Sequence, residues 1–427
     1  MTSKIVTLNN EIHVQMQAIG KRARAAYALM AEASNADKDM ALVTAASLLR
    51  KRMKSILEAN EKDVEYGEHK KLDVAMIDRL KLDKKRIEAM AMGLETIATL
   101  PDPVNRKLEE WRRPNGLLLQ RVSIPLGVIG IIFESRPNVT ADAAGLSLKS
   151  GNAAILRCGS ECLHSSMAIV ECLHAGLKAA GLPQDAVQLV PTRDRAAVGE
   201  MLTMTGLIDI IVPRGGKSLT KRVMEESRIP TLQHLDGNCH TYIHKKASAK
   251  MAKEVLLNAK MRRVGVCGAT ESLLIDEAIA GAMLPELAEG LSKAGCEMRG
   301  DAKARAIDKR IKAASDEDWD TEYLAPIISI KIVKDAGEAI EHINRHGSHH
   351  TDAIITDDKK TAQAFVRRVD SAIVMHNTST QFADGGEFGF GAEIGISTGR
   401  LHARGPVGAE QLTTYKYVVL GSGQTRS

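Results

Sequence analysis

One stretch of the chain places a nucleophile among groups able to activate it: Asn258-Ala259-Lys260-Met261-Arg262-Arg263-Val264-Gly265-Val266-Cys267-Gly268. The thiolate, not the thiol, attacks an acyl carbon, and an unassisted cysteine is largely protonated at neutral pH. Cationic neighbours or helix N-terminal amides would enlarge the thiolate fraction, and Arg262 and Arg263 are near in sequence. The competing reading is a small core residue between apolar neighbours, since free cysteine is among the most buried residue types. Taken alone, the stretch favours that second reading. Cys239, in Asp236-Gly237-Asn238-Cys239-His240, is the rival thiol. Its histidine neighbour is no obvious base, because adjacent strand residues point to opposite faces.

Other groupings that look chemical lose their appeal on inspection. Gly216-Lys217-Ser218 resembles the end of a phosphate-binding loop, but that pattern's first glycine would fall at Ile211. Gly389, Gly391 and Gly395 approximate a dinucleotide fingerprint, with the last glycine one residue too far and no suitable strand before it. His346, His349 and His350 read as a helix end and loop without ligands of convincing spacing, and no metal is expected.

These residues need a scaffold, and the totals bound it. A chain of 427 residues exceeds one simple core. Lys+Arg 58 against Asp+Glu 53 leaves too little excess charge for a nucleic-acid or membrane surface, and 3% aromatics leaves few stacking platforms. No run approaches the roughly 18 apolar residues of a membrane span. The N-terminus lacks a secretory pattern, and six cysteines without a C-x-x-C pair read as reduced thiols. A cytoplasmic, soluble, multi-domain protein is expected, with no nucleic acid and no membrane among its partners.

Residues 10–100 read as helical, with Leu42, Ala46, Leu49, Met53 and Ile56 on one face. Residues 116–125 look like an arm or edge hairpin. From Val128 short apolar runs alternate with helices: strands at 128–133, 153–157, 186–191, 208–213 and 230–235, helices at 140–149, 160–180, 195–203 and 217–226. Repeated βα units imply a parallel, doubly wound sheet. A second α/β series begins near Asp236, with strands at 272–276, 325–333, 353–356 and 372–376 and helices near 247–259, 278–294, 336–346 and 359–370. Residues 413–420 have strand character.

Several ordered motifs then carry a resemblance. Pro125-Leu126-Gly127-Val128 and Ser150-Gly151-Asn152-Ala153-Ala154-Ile155-Leu156-Arg157 resemble the cofactor domain of the aldehyde dehydrogenase superfamily, which binds its dinucleotide without the usual glycine fingerprint. Ile132-Phe133-Glu134-Ser135-Arg136-Pro137-Asn138-Val139, Ile211-Val212-Pro213-Arg214-Gly215-Gly216, Glu322-Tyr323-Leu324-Ala325-Pro326 and Leu401-His402-Ala403-Arg404-Gly405-Pro406 narrow this to the γ-glutamyl phosphate reductase family. The resemblance covers nearly the whole chain.

The resemblance implies an aldehyde dehydrogenase-like α/β fold: a doubly wound parallel-sheet dinucleotide-binding domain at 1–108 and 124–235, a second α/β catalytic domain at 236–380, and an oligomerisation arm and tail at 109–123 and 400–427. It implies Cys267 as the nucleophile, attacking L-glutamyl 5-phosphate to give a thioester that NADPH reduces to L-glutamate 5-semialdehyde. Asn138 or Arg136 would supply an oxyanion donor beside the Cys267 amide, and the register between the two motifs leaves that choice open. Arg136 would alternatively bind phosphate or the α-carboxylate. Arg157 would suit the 2′-phosphate of NADP, Pro213, Arg214, Gly215 and Gly216 the pyrophosphate, and Glu322 the nicotinamide ribose. Asn258, His402 and Arg404 are candidates for substrate contact.

The hydrolytic members carry Glu-Leu-Gly-Gly-Lys where this chain has His234-Leu235-Asp236-Gly237-Asn238. Their glutamate activates water against the thioester. An acyl-phosphate reductase should lack that base, which places a hydrolytic NAD(P)-dependent semialdehyde dehydrogenase second and a catalytically dead scaffold third. A separate glutamate kinase is expected to supply the acyl phosphate, and the resemblance implies a homo-oligomer in which the 116–125 arm and the C-terminal strand pair between subunits.

Overall fold

A computed structural model describes residues 2–426. The chain divides into two compact units, one running to Gln233 with Gly389–Gly395 and the stretch from Val407, the other His234–Phe388 with Ile396–Pro406.

The first unit opens with helices Thr2–Met30, Asn35–Lys51, Met53–His69, Val74–Leu80 and Lys84–Thr99. Ser34, Asp73 and Asp83 start three of them, each side chain accepting from a backbone amide of the first turn. Leu42, Ala46, Leu49 and Ile56 are fully buried, as their spacing requires. The helix is interrupted at Arg52 (φ −96°, ψ 14°), however, so Met53 begins a new helix and is only half-buried.

A four-stranded sheet follows in the order Val187–Leu189, Ala153–Cys158, Val128–Phe133, Ile210–Arg214, with parallel neighbours throughout. The two middle strands are buried at every position, which explains the unbroken apolar run at Val128–Phe133; the other strand is apolar up to Arg157, which is buried with it. The expected closing strand at 230–235 is a correction. Ile211 donates to the Pro230 carbonyl and accepts from the Leu232 amide, leaving a single bridge at Thr231, because Pro230 has no N–H to extend the ladder.

The segment read as an arm or edge hairpin is the middle strand of a small antiparallel sheet. Leu118–Pro125 pairs with Lys107–Arg112 on one side and with Thr413–Leu420 on the other, from Thr413↔Pro125 to Leu420↔Leu118. The two segments expected to pair between subunits thus pair with each other within the chain.

The second unit is a seven-stranded parallel sheet ordered Lys312–Ala313, Glu297–Gly300, Ile327–Val333, Thr270–Asp276, Cys239–Ile243, Thr351–Ile355, Ile373–His376. Helices Ala249–Met261 and Glu277–Lys293 cover one face, and Ala336–His346 and Lys359–Arg368 the other. Alternation along the strands sorts the core: Ile243, Leu273, Ile275 and Ile355 pack with the first pair, Tyr242, Leu274 and Ile354 with the second. Sequence reading had missed the strand at Glu297–Gly300, which is four residues long and half polar. Among the described residues no helix is long and apolar enough to cross a membrane.

Candidate active site

Cys267 lies in the loop that joins the helix Ala249–Met261 to the strand Thr270–Asp276. It is half-exposed, whereas the other five cysteines are buried, so among the thiols it has the access a nucleophile needs. The flanks of this loop are fixed from within the unit. Gln381 donates to the carbonyls of Ala259 (3.0 Å) and Arg263 (3.2 Å), and accepts from the Arg262 guanidinium at 3.3 Å. Arg262 is thereby committed to Gln381, and Arg263 is exposed.

The rival thiol serves the loop instead. Cys239 Sγ donates to the Cys267 carbonyl at 3.0 Å and lies 3.7 Å from His350 Nδ1. Burial pushes its pKa well above the ordinary thiol value. His240 faces away, its Nδ1 3.0 Å from Asp352 and its ring against His342.

Gly237 brings Glu322 to the same place. A Cβ there would collide with the Cys267 carbonyl, and would stand 2.7 Å from the Cys267 Cα and 2.7 Å from Glu322 Oε1. The loop at 234–238 can lie against both the cysteine and the glutamate because position 237 has no side chain. Three residues earlier, His234 Nδ1 lies 2.8 Å from the Ile396 carbonyl. A carbonyl only accepts, so Nδ1 carries a proton, and in the neutral ring the lone pair belongs to Nε2. His234, Cys267 and His350 converge, with their potential ligand atoms all within 4.8 Å of one another.

The apparent histidine group at 346–350 disperses. His346 turns to Asp320 at 2.8 Å and His349 to the Asp370 carbonyl at 2.6 Å, while His350 is buried beside Cys239. Arg404 is held by Asp370 at 2.9 Å, and this guanidinium keeps the Asp370 carboxyl below its usual range. His402 is exposed, as is Asn258 on its helix.

The first unit carries the remaining candidates. Ser135 stands at φ +46°, and its amide and hydroxyl both donate to Glu161, at 2.7 and 2.9 Å, which sets the Glu134–Asn138 turn. Asn138 begins the helix Asn138–Lys149 and donates to Asp142 at 3.0 Å. Desolvation raises the Asp142 pKa to about 6. Arg136 is half-buried. Arg157 is buried, with Nη2 donating to the carbonyls of Arg193 and Asp194 at 3.3 Å each. Pro213 and Arg214 end their strand beside Ile132 and Phe133, and the exposed Gly215 and Gly216 open the helix Lys217–Glu226. The Gly216 amide donates to Glu134 at 2.9 Å, so this turn already holds an anion. Sequence reasoning had passed over Glu134, Asp142 and Gly237 as individual actors and had set His350 aside.

Known proteins place these features in context. The sequence matches the aldehyde dehydrogenase family over residues 2–306 and 312–418. It is 61% identical over 418 residues to the γ-glutamyl phosphate reductase of Paramagnetospirillum magneticum, covering 98% of this chain and 99% of that protein. The counterpart from Rhodospirillum rubrum is 61% identical over 408 residues, 96% of each chain. The crystal structure of γ-glutamyl phosphate reductase from Thermotoga maritima superposes with a TM-score of 0.95 at 44% identity, covering 97% of this chain and all (100%) of that one. An acetylating aldehyde dehydrogenase from Geobacillus thermoglucosidasius shares the fold, with a TM-score of 0.68 at 17% identity over 98% of this chain and 99% of that one. The chain belongs to the aldehyde dehydrogenase family and, within it, to the γ-glutamyl phosphate reductases.

Proposed function

We infer that this chain reduces L-glutamyl 5-phosphate to L-glutamate 5-semialdehyde with NADPH, the second step of proline biosynthesis from glutamate, through a thioester on Cys267. The observation that carries the assignment of the nucleophile is the half-exposed Cys267 on a loop pinned by Gln381, Cys239 and Gly237. Cys267 thiolate attacks the γ-acyl carbon, the acyl–phosphate bond breaks, and phosphate leaves with the electron pair. The oxyanion of that addition needs fixed donors, each typically worth ~3–4 kcal/mol. The Cys267 amide is one; Asn138 or Arg136 is proposed as the other.

The residues of the first unit suit a dinucleotide. The Gly216 amide already donates to a carboxylate, Gly215 leaves the turn without a Cβ, and Arg157 adds a buried guanidinium. When bound, the cofactor supplies the hydride that reduces the thioester. Glu322, kept against the cysteine loop by Gly237, is proposed to orient the nicotinamide ribose, and Asn258, His402 and Arg404 to reach the substrate.

His234 stands where hydrolytic members keep a glutamate base. With Nδ1 committed to the Ile396 carbonyl, its ring is held in one orientation. The thioester is proposed to pass to phosphate and hydride rather than to water because the carboxylate base of the hydrolytic members is replaced at this position. A separate glutamate kinase is proposed to supply the acyl phosphate in the cytoplasm. Self-association is proposed through the strand Thr413–Leu420, whose residues Tyr415, Tyr417, Val419 and Leu420 are exposed.

Intact-mass and peptide analysis after incubation with semialdehyde and NADP+ in phosphate-free buffer tests the intermediate. A glutamyl adduct on the Cys267 peptide is expected. An adduct on Cys239, or none on any cysteine while NADPH forms, overturns the assignment.

A further inference from the structure

The meeting of His234, Cys267 and His350 is more than the reductase chemistry asks for, since a single base would serve the thiol. The three come from separate segments: the loop before the strand Cys239–Ile243, the nucleophile loop, and the approach to the strand Thr351–Ile355. Their ligand atoms lie within 4.8 Å of one another, and the two rings meet edge to face with centroids 4.9 Å apart.

Each imidazole is also braced from behind. His234 Nδ1 donates to the Ile396 carbonyl at 2.8 Å, which leaves Nε2 as the ligating nitrogen. His350 Nδ1 lies 2.9 Å from the Thr351 hydroxyl. A hydrogen-bond partner on the far nitrogen is the usual support of a metal-binding histidine: the carbonyl behind His234 fixes its tautomer, and the hydroxyl behind His350 helps hold the plane of the ring.

One thiolate and two imidazoles form a donor set for a soft or borderline divalent cation. Three such protein ligands leave a fourth tetrahedral position open. Magnesium and calcium prefer oxygen donors and have no match here. At bond lengths of about 2.0–2.3 Å, tetrahedral ligand atoms stand ~3.3–3.6 Å apart. With both rings held, rotation of the Cys267 side chain is the movement that would draw the 4.8 Å cluster toward that spacing.

We propose that His234, Cys267 and His350 form a binding site for Zn2+ or a similar thiophilic cation, and that its occupation shuts the enzyme off. Binding displaces the Cys267 thiol proton to solvent and forms a sulfur–metal bond, with no change of oxidation state. The sulfur electron pair needed for attack is then committed to the metal. Binding stands on the geometry of the three side chains alone; inhibition rests in addition on Cys267 being the nucleophile.

The test therefore reads the two separately. Full-length protein, stripped with a chelator, is titrated with Co2+ alone, which reports a thiolate ligand by charge-transfer absorption. One cobalt ion per chain is expected, with that absorption bleached by Zn2+. The band is expected to vanish in Cys267→Ser. His234→Gln and His350→Gln should weaken cobalt binding by at least the ~10–100-fold that losing a supporting residue costs. Circular dichroism confirms that each variant is folded. Absence of the band, its survival in Cys267→Ser, or unchanged affinity in both folded histidine variants overturns the site. Zn2+ is expected to stop turnover reversibly, with chelator restoring it. Full turnover at saturating Zn2+ overturns the shut-off and, with the cobalt band intact, strikes the nucleophile assignment rather than the site.

Discussion

Lys260 and Glu271 form a salt bridge in which neither side chain has exposed surface. They stand on either side of the Cys267 loop, at the end of the helix Ala249–Met261 and the start of the strand Thr270–Asp276. Glu271 also accepts from the Leu324 amide at 3.3 Å, and the Lys260 ammonium lies 5.9 Å from the centre of the Tyr323 ring. One buried pair thus ties the Cys267 loop to the turn that carries Glu322. Removing one partner leaves the other polar and buried, at a cost of about 3–5 kcal/mol. Lys260→Met is expected to lower the unfolding free energy by that amount in denaturant titrations. A loss below about 1 kcal/mol would show that the pair does not hold the loop.

Glu134 occupies the amide end of the helix Lys217–Glu226, 2.9 Å from the Gly216 nitrogen. A cofactor phosphate at this turn must share or replace that contact. A charge at a helix terminus is worth ~0.3–1 kcal/mol, so Glu134→Gln should tighten NADP+ binding about two- to fivefold. Fluorescence titration measures it, and weaker binding in the variant would mean that the carboxylate supports the bound cofactor instead.

His342 is buried in the second unit, its ring 4.5 Å from His346, 5.6 Å from His240 and 5.8 Å from Trp319. Burial, aided by neighbouring positive charge, pushes its pKa down to about 2. The unfolded chain takes up this proton near pH ~6.5, whereas the folded chain refuses it. The stabilising contribution is therefore fully present above that pH and is lost as the pH falls, by about 1.4 kcal/mol per unit. Thermal unfolding of His342→Gln between about pH 7 and pH 5 should show a shallower loss of stability than the parent. Parallel curves would remove His342 from the acid response.

The position of His234 predicts a gain of activity. Restoring the carboxylate that hydrolytic members carry, by His234→Glu, supplies a base for water against the thioester. Oxidation of the semialdehyde without phosphate should appear in the variant. Its absence, with NADP+ binding and the phosphate-dependent reaction retained, would show that position 234 does not govern access of water.

Much of this was legible before the fold. The unbroken apolar run at 128–133 could hardly be anything but a doubly covered strand, and the sheet buries it completely, together with the strand Ala153–Cys158 beside it. The motif around Cys267 singled it out as the candidate nucleophile, and of the six thiols it is the one that is not buried, while spacing alone would have favoured a core cysteine. Contacts between distant segments were not legible. Nothing in the pattern around His350 or Ile396 announces that they meet His234, at separations of over a hundred residues. Lys260 reads as an ordinary helix lysine until Glu271 is seen against it, because burial of a charge depends on its partner rather than on its neighbours in sequence. The segment 116–125 reads as an arm or edge hairpin in sequence because its second neighbour within the chain, Thr413–Leu420, lies at the far end of it.

The central claim is that Cys267 carries an acyl group exchanged with phosphate, and the reaction run backwards tests it most directly. Purified protein is supplied with L-glutamate 5-semialdehyde and NADP+, and NADPH is followed with and without inorganic phosphate, in parallel with Cys267→Ala. Sustained turnover is predicted only with phosphate present and Cys267 intact, with the variant slower by about 10⁵-fold or more. Steady NADPH formation without phosphate, or in Cys267→Ala, would contradict it.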